Sequence, residues 1–128
     1  MAMLNPYQQY HQQSIMTASS GDLTLMLYNG CVKFISKAKL FIEKKDIQGA
    51  HEANIRAQQI IEEFMATLDM NYEISERMML IYDYIHSRLI DANIKKEIQI
   101  LDEVLEIVTG LRDTWEQVLE ITGRHNGK

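Results

Sequence analysis

Apolar residues recur every three or four positions along four stretches of this chain, the spacing that gathers them on one side of a helix. Leu23, Leu27, Gly30, Phe34, Ala38 and Phe41 form the first stripe. Ala50, Ala53, Ala57, Ile61, Phe64 and Leu68 form the second. Met78, Ile81, Tyr82, Ile85, Leu89 and Ala92 form the third. Leu101, Val104, Leu105, Val108, Leu111, Trp115 and Leu119 form the fourth. Proline occurs once, at Pro6, so nothing after it breaks a long helix. Ser19 or Ser20 can cap the first helix, with Asp22 favourable in its first turn; Asp46 suits the cap of the second and Ser75 that of the third. Residues 71–75 and 93–97 read as connections. Each helix then has roughly 20–25 residues and a length of about 30–37 Å. Equal lengths joined by short links force antiparallel neighbours. The expected fold is all-α, an antiparallel up-down four-helix bundle over residues 19–122, with Phe34 and Trp115 buried. An N-terminal arm or short capping helix precedes it over 1–18, and 123–128 form a frayed tail.

The pattern supplies more apolar surface than four stripes need. On the first helix, Leu25, Tyr28, Cys31, Val32, Ile35 and Ile42 extend the stripe over an arc of roughly 200°, where a bundle helix needs a little over 100°. Met79, Ile90 and Ile94 lie off the third stripe, and Ile55 off the second. Such width has two readings: a helix packed between two neighbours and the arm, or a groove that receives a partner's helices. Eight methionines suit either core filling or an adaptable surface.

Charge and candidate chemistry narrow the function. The net charge is −5 and the basic residues are dispersed, which excludes the clustered cations that nucleic acid requires. Cys31 is the single cysteine, so an internal disulfide is excluded. No charged leader precedes an apolar run at the start, and no run approaches the ~20 residues that span a bilayer. The expected location is the cytosol, without membrane insertion. His11, His51, His86 and His125 are scattered, and none follows a glutamate at the spacing of a bundle metal site. No glycine-rich phosphate loop is present. Neither catalytic residues, a cofactor site nor a metal site can be assigned, so a binding protein is favoured over an enzyme.

The arm carries further information. Asn5-Pro6-Tyr7-x-x-Tyr10 is followed by Thr17-Ala18-Ser19 and by Leu23-x-x-Met26-Leu27-Tyr28-x-Gly30. Further on stand Ala57-Gln58-x-Ile60-Ile61, Tyr82-Asp83-Tyr84, Arg88-Leu89-Ile90-x-Ala92-Asn93-Ile94-Lys95 and Arg112-Asp113-x-Trp115. In this order and spacing, from Asn5 to Trp115, the chain resembles the flagellin export chaperone family, FliS. It departs from the family at Ser20, where proline is usual; a serine cap there shifts the helix start. The resemblance implies a cytosolic helical bundle that binds the disordered C-terminal segment of flagellin and prevents its premature polymerisation. It also implies delivery of flagellin to the cytoplasmic domain of the flagellar type III export gate. By position, Pro6, Tyr7 and Tyr10 would cap the flagellin site and dock to the gate. The groove candidates are Leu27, Tyr28 and Val32 of the first helix, Ile55, Ala57 and Ile61 of the second, and Met79, Ile90 and Ile94 of the third. The alternative is a homodimer whose seam is the surplus apolar stripe, with no flagellin client; a small metal-dependent bundle is a third, remote reading.

Overall fold

Asp46 begins a helix as its position predicts: its carboxylate accepts from the Gly49 N–H at 2.9 Å, satisfying one of the donors a helix start leaves open. The computed structural model describes residues 20–122. They form α1 (Ser20–Glu43), α2 (Ile47–Thr67), α3 (Ser75–Lys95) and α4 (Ile98–Ile121). The arm at 1–18, Ser19 and the tail at 123–128 lie outside the described residues. Helix α1 starts at Ser20, and the Thr24 hydroxyl donates to the Ser20 carbonyl at 3.0 Å.

The turns close economically. After α1, the Lys45 N–H reaches the Ile42 carbonyl at 2.9 Å and the Asp46 N–H the Phe41 carbonyl at 2.8 Å. This is the Schellman pattern, with Lys45 in the left-handed region at φ 62°. Lys96, at the end of α3, is also left-handed, at φ 54°. Its ammonium donates back to the carbonyl and side-chain oxygens of Asn93. The last link is therefore shorter than the expected 93–97, because α3 continues through Asn93 to Lys95. The link from α2 to α3 differs too. Ser75 does not cap α3: the cap position is Ile74, without a side-chain bond, while the buried Ser75 hydroxyl donates to the Asp69 carbonyl. That bond ties the loop at 68–74 to the first turn of α3.

The helices form a ring in which α1 and α3 each pack mainly against α2 and α4. Contacts between the helices show the antiparallel order. Tyr28, Phe64 and Tyr82 meet near one end, and there the Trp115 indole N–H donates to the Gly21 carbonyl at 2.9 Å. Lys39 pairs with Asp102 toward the other end.

The core line of α1 runs through Tyr28, Cys31, Ile35 and Ala38, about 80° round from the first stripe at 100° per residue. Leu27, Phe34 and Phe41 are half-buried on one flank, and Val32 is half-buried on the other. Phe34 and Trp115, expected to be buried, are half-buried. Because α1 lies between two helices, the middle of its wide apolar arc faces the core and the edges cover the seams. Gly30 helps here, since a Cβ on it would lie 3.3 Å from Ile60 of α2. The other helices bury their stripes more nearly as read: Ala50, Ala53, Ala57, Ile61 and Phe64; Tyr82, Ile85, Leu89 and Ala92; Leu101, Val104, Val108 and Leu119.

Two polar contacts interrupt this core. The Tyr28 and Tyr82 hydroxyls are 2.8 Å apart, with the Phe64 ring stacked at 4.5 Å from Tyr28 and 5.3 Å from Tyr82. The buried Gln58 side chain donates to Asn54 at 2.7 Å, and Asn54 donates to the Leu89 carbonyl at 3.0 Å. Burial pushes both tyrosine hydroxyls above their ordinary range and the Cys31 thiol up to about 12.

Tyr82→Phe strands the Tyr28 hydroxyl in the core and should cost about 1–3 kcal/mol in urea unfolding, with the double Tyr28→Phe/Tyr82→Phe variant recovering part of that loss. The folded chain keeps protons on Cys31, Tyr28 and Tyr82 that the unfolded chain releases above their ordinary values of 9.0 and 10.0. Unfolding then releases protons, so this stability is complete below those values and declines as pH rises past them. The double Phe variant should decline less steeply over the same alkaline range. Glycines separate cleanly: Gly110→Ala adds a Cβ into open space and should stabilise α4 by about 0.5–1 kcal/mol. At Gly49 the same methyl would lie 2.9 Å from the Phe41 ring and 2.7 Å from the capping carboxylate. Gly49→Ala should therefore lower the thermal midpoint.

Candidate partner-binding surface

The seam between α2 and α3 is held in register by three cross-links. Asn54 bonds the Leu89 carbonyl, the side chains of His51 and Asn93 meet at 2.9 Å, and Glu62 meets His86 at 2.8 Å. This register puts Ile55 of α2 level with Ile90 of α3. Ile55 and Met79 are half-buried, Ile90 is exposed, and Ile94 is 76% exposed. Thus Ile55, Met79, Ile90 and Ile94, the positions that fall off the apolar stripes, share the outer side of one seam.

The apolar surface continues round α3. Leu80 is 71% exposed, and Tyr84, a turn further on, is exposed as well. Tyr84 is tethered: its hydroxyl donates to Glu103 of α4, while Arg88 donates to Glu103 at 2.9 Å and to Asp91 at 3.2 Å. The Tyr84 and Arg88 hydrogen bonds hold the Glu103 carboxyl below the usual range. This network fastens the opposite seam of α3 with charge, so the apolar surface opens toward α2.

A second exposed group sits at the bundle end where the arm joins. The loop at 68–74 is shaped by Asp69, whose side chain accepts from the Asn71 N–H and whose carbonyl accepts from Ser75. It holds Met70, Tyr72 and Ile74 out at 52%, 66% and 61% exposure. The last turn of α4 adds exposed Val118 and Ile121. Sequence periodicity does not find Leu80, Met70, Tyr72 or Ile74, because a lone apolar residue outside a stripe, or inside a loop, carries no periodic signal.

The remaining candidates lie elsewhere. Tyr28, Ala57 and Ile61 are in the core and contribute packing in this conformation. Leu27 and Val32 are half-buried on the two flanks of α1, against the core. Pro6, Tyr7 and Tyr10 lie outside the described residues. Among the described residues, no group of His, Cys, Asp and Glu is arranged to hold a metal ion, and no helix is long and apolar enough to cross a membrane. The arrangement offers apolar area edged by charge, the chemistry of an interaction surface.

Known proteins resemble this chain over most of its length. The family described as "Flagellar protein FliS" matches residues 3–122. The flagellar secretion chaperone FliS of Bacillus subtilis is 48% identical over 94% of this chain and 90% of its own length. The protein of the same name from Salmonella typhimurium is 31% identical over 84% of this chain and 82% of its own. A crystal structure of a flagellar chaperone from bacteria superposes with a TM-score of 0.74 at 22% identity, covering 89% of this chain and 94% of the other; it supports the helical fold. This chain belongs to the FliS family of flagellar secretion chaperones, proteins that act by binding and not as enzymes.

Proposed function

We propose that the chain binds the disordered C-terminal segment of flagellin in the cytosol, keeps it from polymerising, and delivers it to the cytoplasmic domain of the flagellar export gate. The observation that carries this reading is the exposed apolar surface along α2 and α3 in a chain of the flagellar chaperone family. A segment that polymerises through an apolar face is kept monomeric if that face is buried elsewhere. Ile55, Met79, Ile90 and Ile94 offer the area, and Leu80, Met70, Tyr72 and Ile74 enlarge it. Leu27 and Val32 on the flanks of α1 would join the contact where the client wraps past the first helix. A segment that orders on binding needs such an extended contact to offset its entropy. The arm would cover part of this surface through Pro6, Tyr7 and Tyr10, yield it to the client, and then present its tyrosines to the gate.

Ile90→Asp/Ile94→Asp should keep the helical circular dichroism signal, because both residues are exposed. It should weaken binding of a flagellin C-terminal peptide by about tenfold or more, since an unpaired charge in an apolar contact costs more than the 1.4 kcal/mol that tenfold represents. Unchanged affinity in calorimetry sinks this placement. Size-exclusion chromatography without peptide tests the homodimer: a concentration-dependent dimer abolished by the same substitutions would give this surface to a second copy. The arm makes a separate prediction. Tyr7→Ala/Tyr10→Ala should leave thermal unfolding unchanged and client affinity equal or higher, while flagellin export falls. Normal export by that variant refutes the docking role.

A further inference from the structure

A cleft of about 370 Å³ runs between α1 and α2 on the side of α2 away from α3. Phe34, Phe41 and Ala53 make its floor. Gly49 contributes depth, since a Cβ there would come 2.9 Å from the Phe41 ring. Three cations crowd one aromatic ring: Lys33, Arg56 and Lys37 stand 5.6, 5.7 and 6.0 Å from the Phe34 centroid. In a chain of net charge −5 this gathering of like charge is unexpected. Attraction of each cation to the face of the ring is weak where the contact is exposed to water.

Glu52, which also accepts from Gln48 at 2.9 Å, is the one carboxylate among the cleft's lining residues, against three cations. Lys37 and Arg56 form no ion pair among the described residues, whereas Lys39 and Arg112 each have one and Arg88 has two. Lys37 and Arg56 are both exposed.

We infer that this cleft docks an acidic amphipathic helix of a partner protein other than the client. The geometry fits a helix. From Phe34 to Phe41, and from Gly49 to Arg56, each wall spans about two turns, or ~10 Å. Lys33 and Lys37 are four residues apart, so their side chains have the ~5–6 Å spacing of carboxylates at i and i+4 of a facing helix. An apolar side chain between those carboxylates would lie on Phe34 and Phe41, with Arg56 closing over it from α2. The surface proposed for the client is apolar and lies across the α2–α3 seam. The bundle therefore presents two faces of different chemistry and has room for both partners together. This inference rests on the cleft alone and stands whether or not flagellin is the client.

The test uses the full chain and a short synthetic helical peptide carrying Glu at i and i+4 around a Leu. The acidic peptide should bind at low salt, perturb the NMR signals of Phe34, Phe41 and Ala53, and weaken as salt rises. Lys37→Glu/Arg56→Glu should lose about tenfold or more in affinity, and a peptide with Lys in place of Glu should recover binding to that variant. Lys37→Gln/Arg56→Gln, which removes charge without reversing it, should fall between. Thermal unfolding of each variant checks that the fold persists. Flagellin-peptide affinity should be unchanged in both variants; a matching loss would assign the cleft to the client and overturn the inference. Binding of the acidic peptide that ignores the charge reversal overturns it as well. So does tighter binding of a single-stranded oligonucleotide, or a self-association that the same substitutions abolish.

Discussion

Every helix in this ring has to satisfy two neighbours at once. A helix packed on one partner buries a narrow stripe, but one set between two partners must be apolar across the core line and both seams. For α1 that requirement consumes nearly all of a broad apolar arc: Cys31 and Ile35 point inward, Phe34 and Leu27 cover one flank, and Val32 covers the other. The apolar surface left exposed consequently sits across the ring, on α3 and its seam with α2. There, charged side chains hold one flank while Leu80 and Ile94 remain in water.

Packing of this kind fixes helix proximity better than it fixes register, since apolar side chains tolerate small slides. The buried polar contacts are more demanding. An Asn54 amide displaced from the Leu89 carbonyl, or a Tyr28 hydroxyl displaced from Tyr82, would be left unsatisfied in the core. No buried side-chain polar atom among the described residues lacks a partner. The register they fix is what brings Ile55 level with Ile90. A core detail thereby decides the layout of the outer surface.

The bundle was legible because its information is local and repeated. Long stripes, a single early proline and the Asp46 cap each depend on residues within a few positions of one another. What was harder to read depends on the ring. The core line of α1 could not be separated from its flanks without knowing that two helices pack against it. That is why Phe34 was expected deeper than it lies. Ser75 has the chemistry of a cap, but its hydroxyl instead donates to the Asp69 carbonyl, a contact set by the fold of the loop. Ile55, Met79, Ile90 and Ile94 were visible as departures from periodicity. Leu80 and Tyr72 were not, because exposure of a single side chain leaves no pattern. Asn54 and Gln58 did leave one: two amides at i and i+4 beside an alanine stripe mark a polar pair facing a neighbouring helix.

Magnitudes constrain how a chaperone of this shape can hold a disordered segment. Fixing each backbone residue costs about 1–2 kcal/mol, while fully burying a Leu, Ile or Met side chain yields about 1.5–3 kcal/mol. A short extended peptide that sets one side chain in two onto the bundle therefore comes close to breaking even. Ile90 and Ile94 alone cannot anchor a client against that cost. A segment that folds into helices on the bundle recovers part of it through its own backbone bonds and sets apolar side chains onto Ile90, Ile94 and Leu80 from one face. Continuing past the end of α2 adds Met70, Tyr72 and Ile74. Such a path leads toward the first turn of α1, which Trp115 ties to α4 through the Gly21 carbonyl. A segment long enough to bind well would thus extend from the α2–α3 seam to the start of α1, the length of contact that the entropy demands.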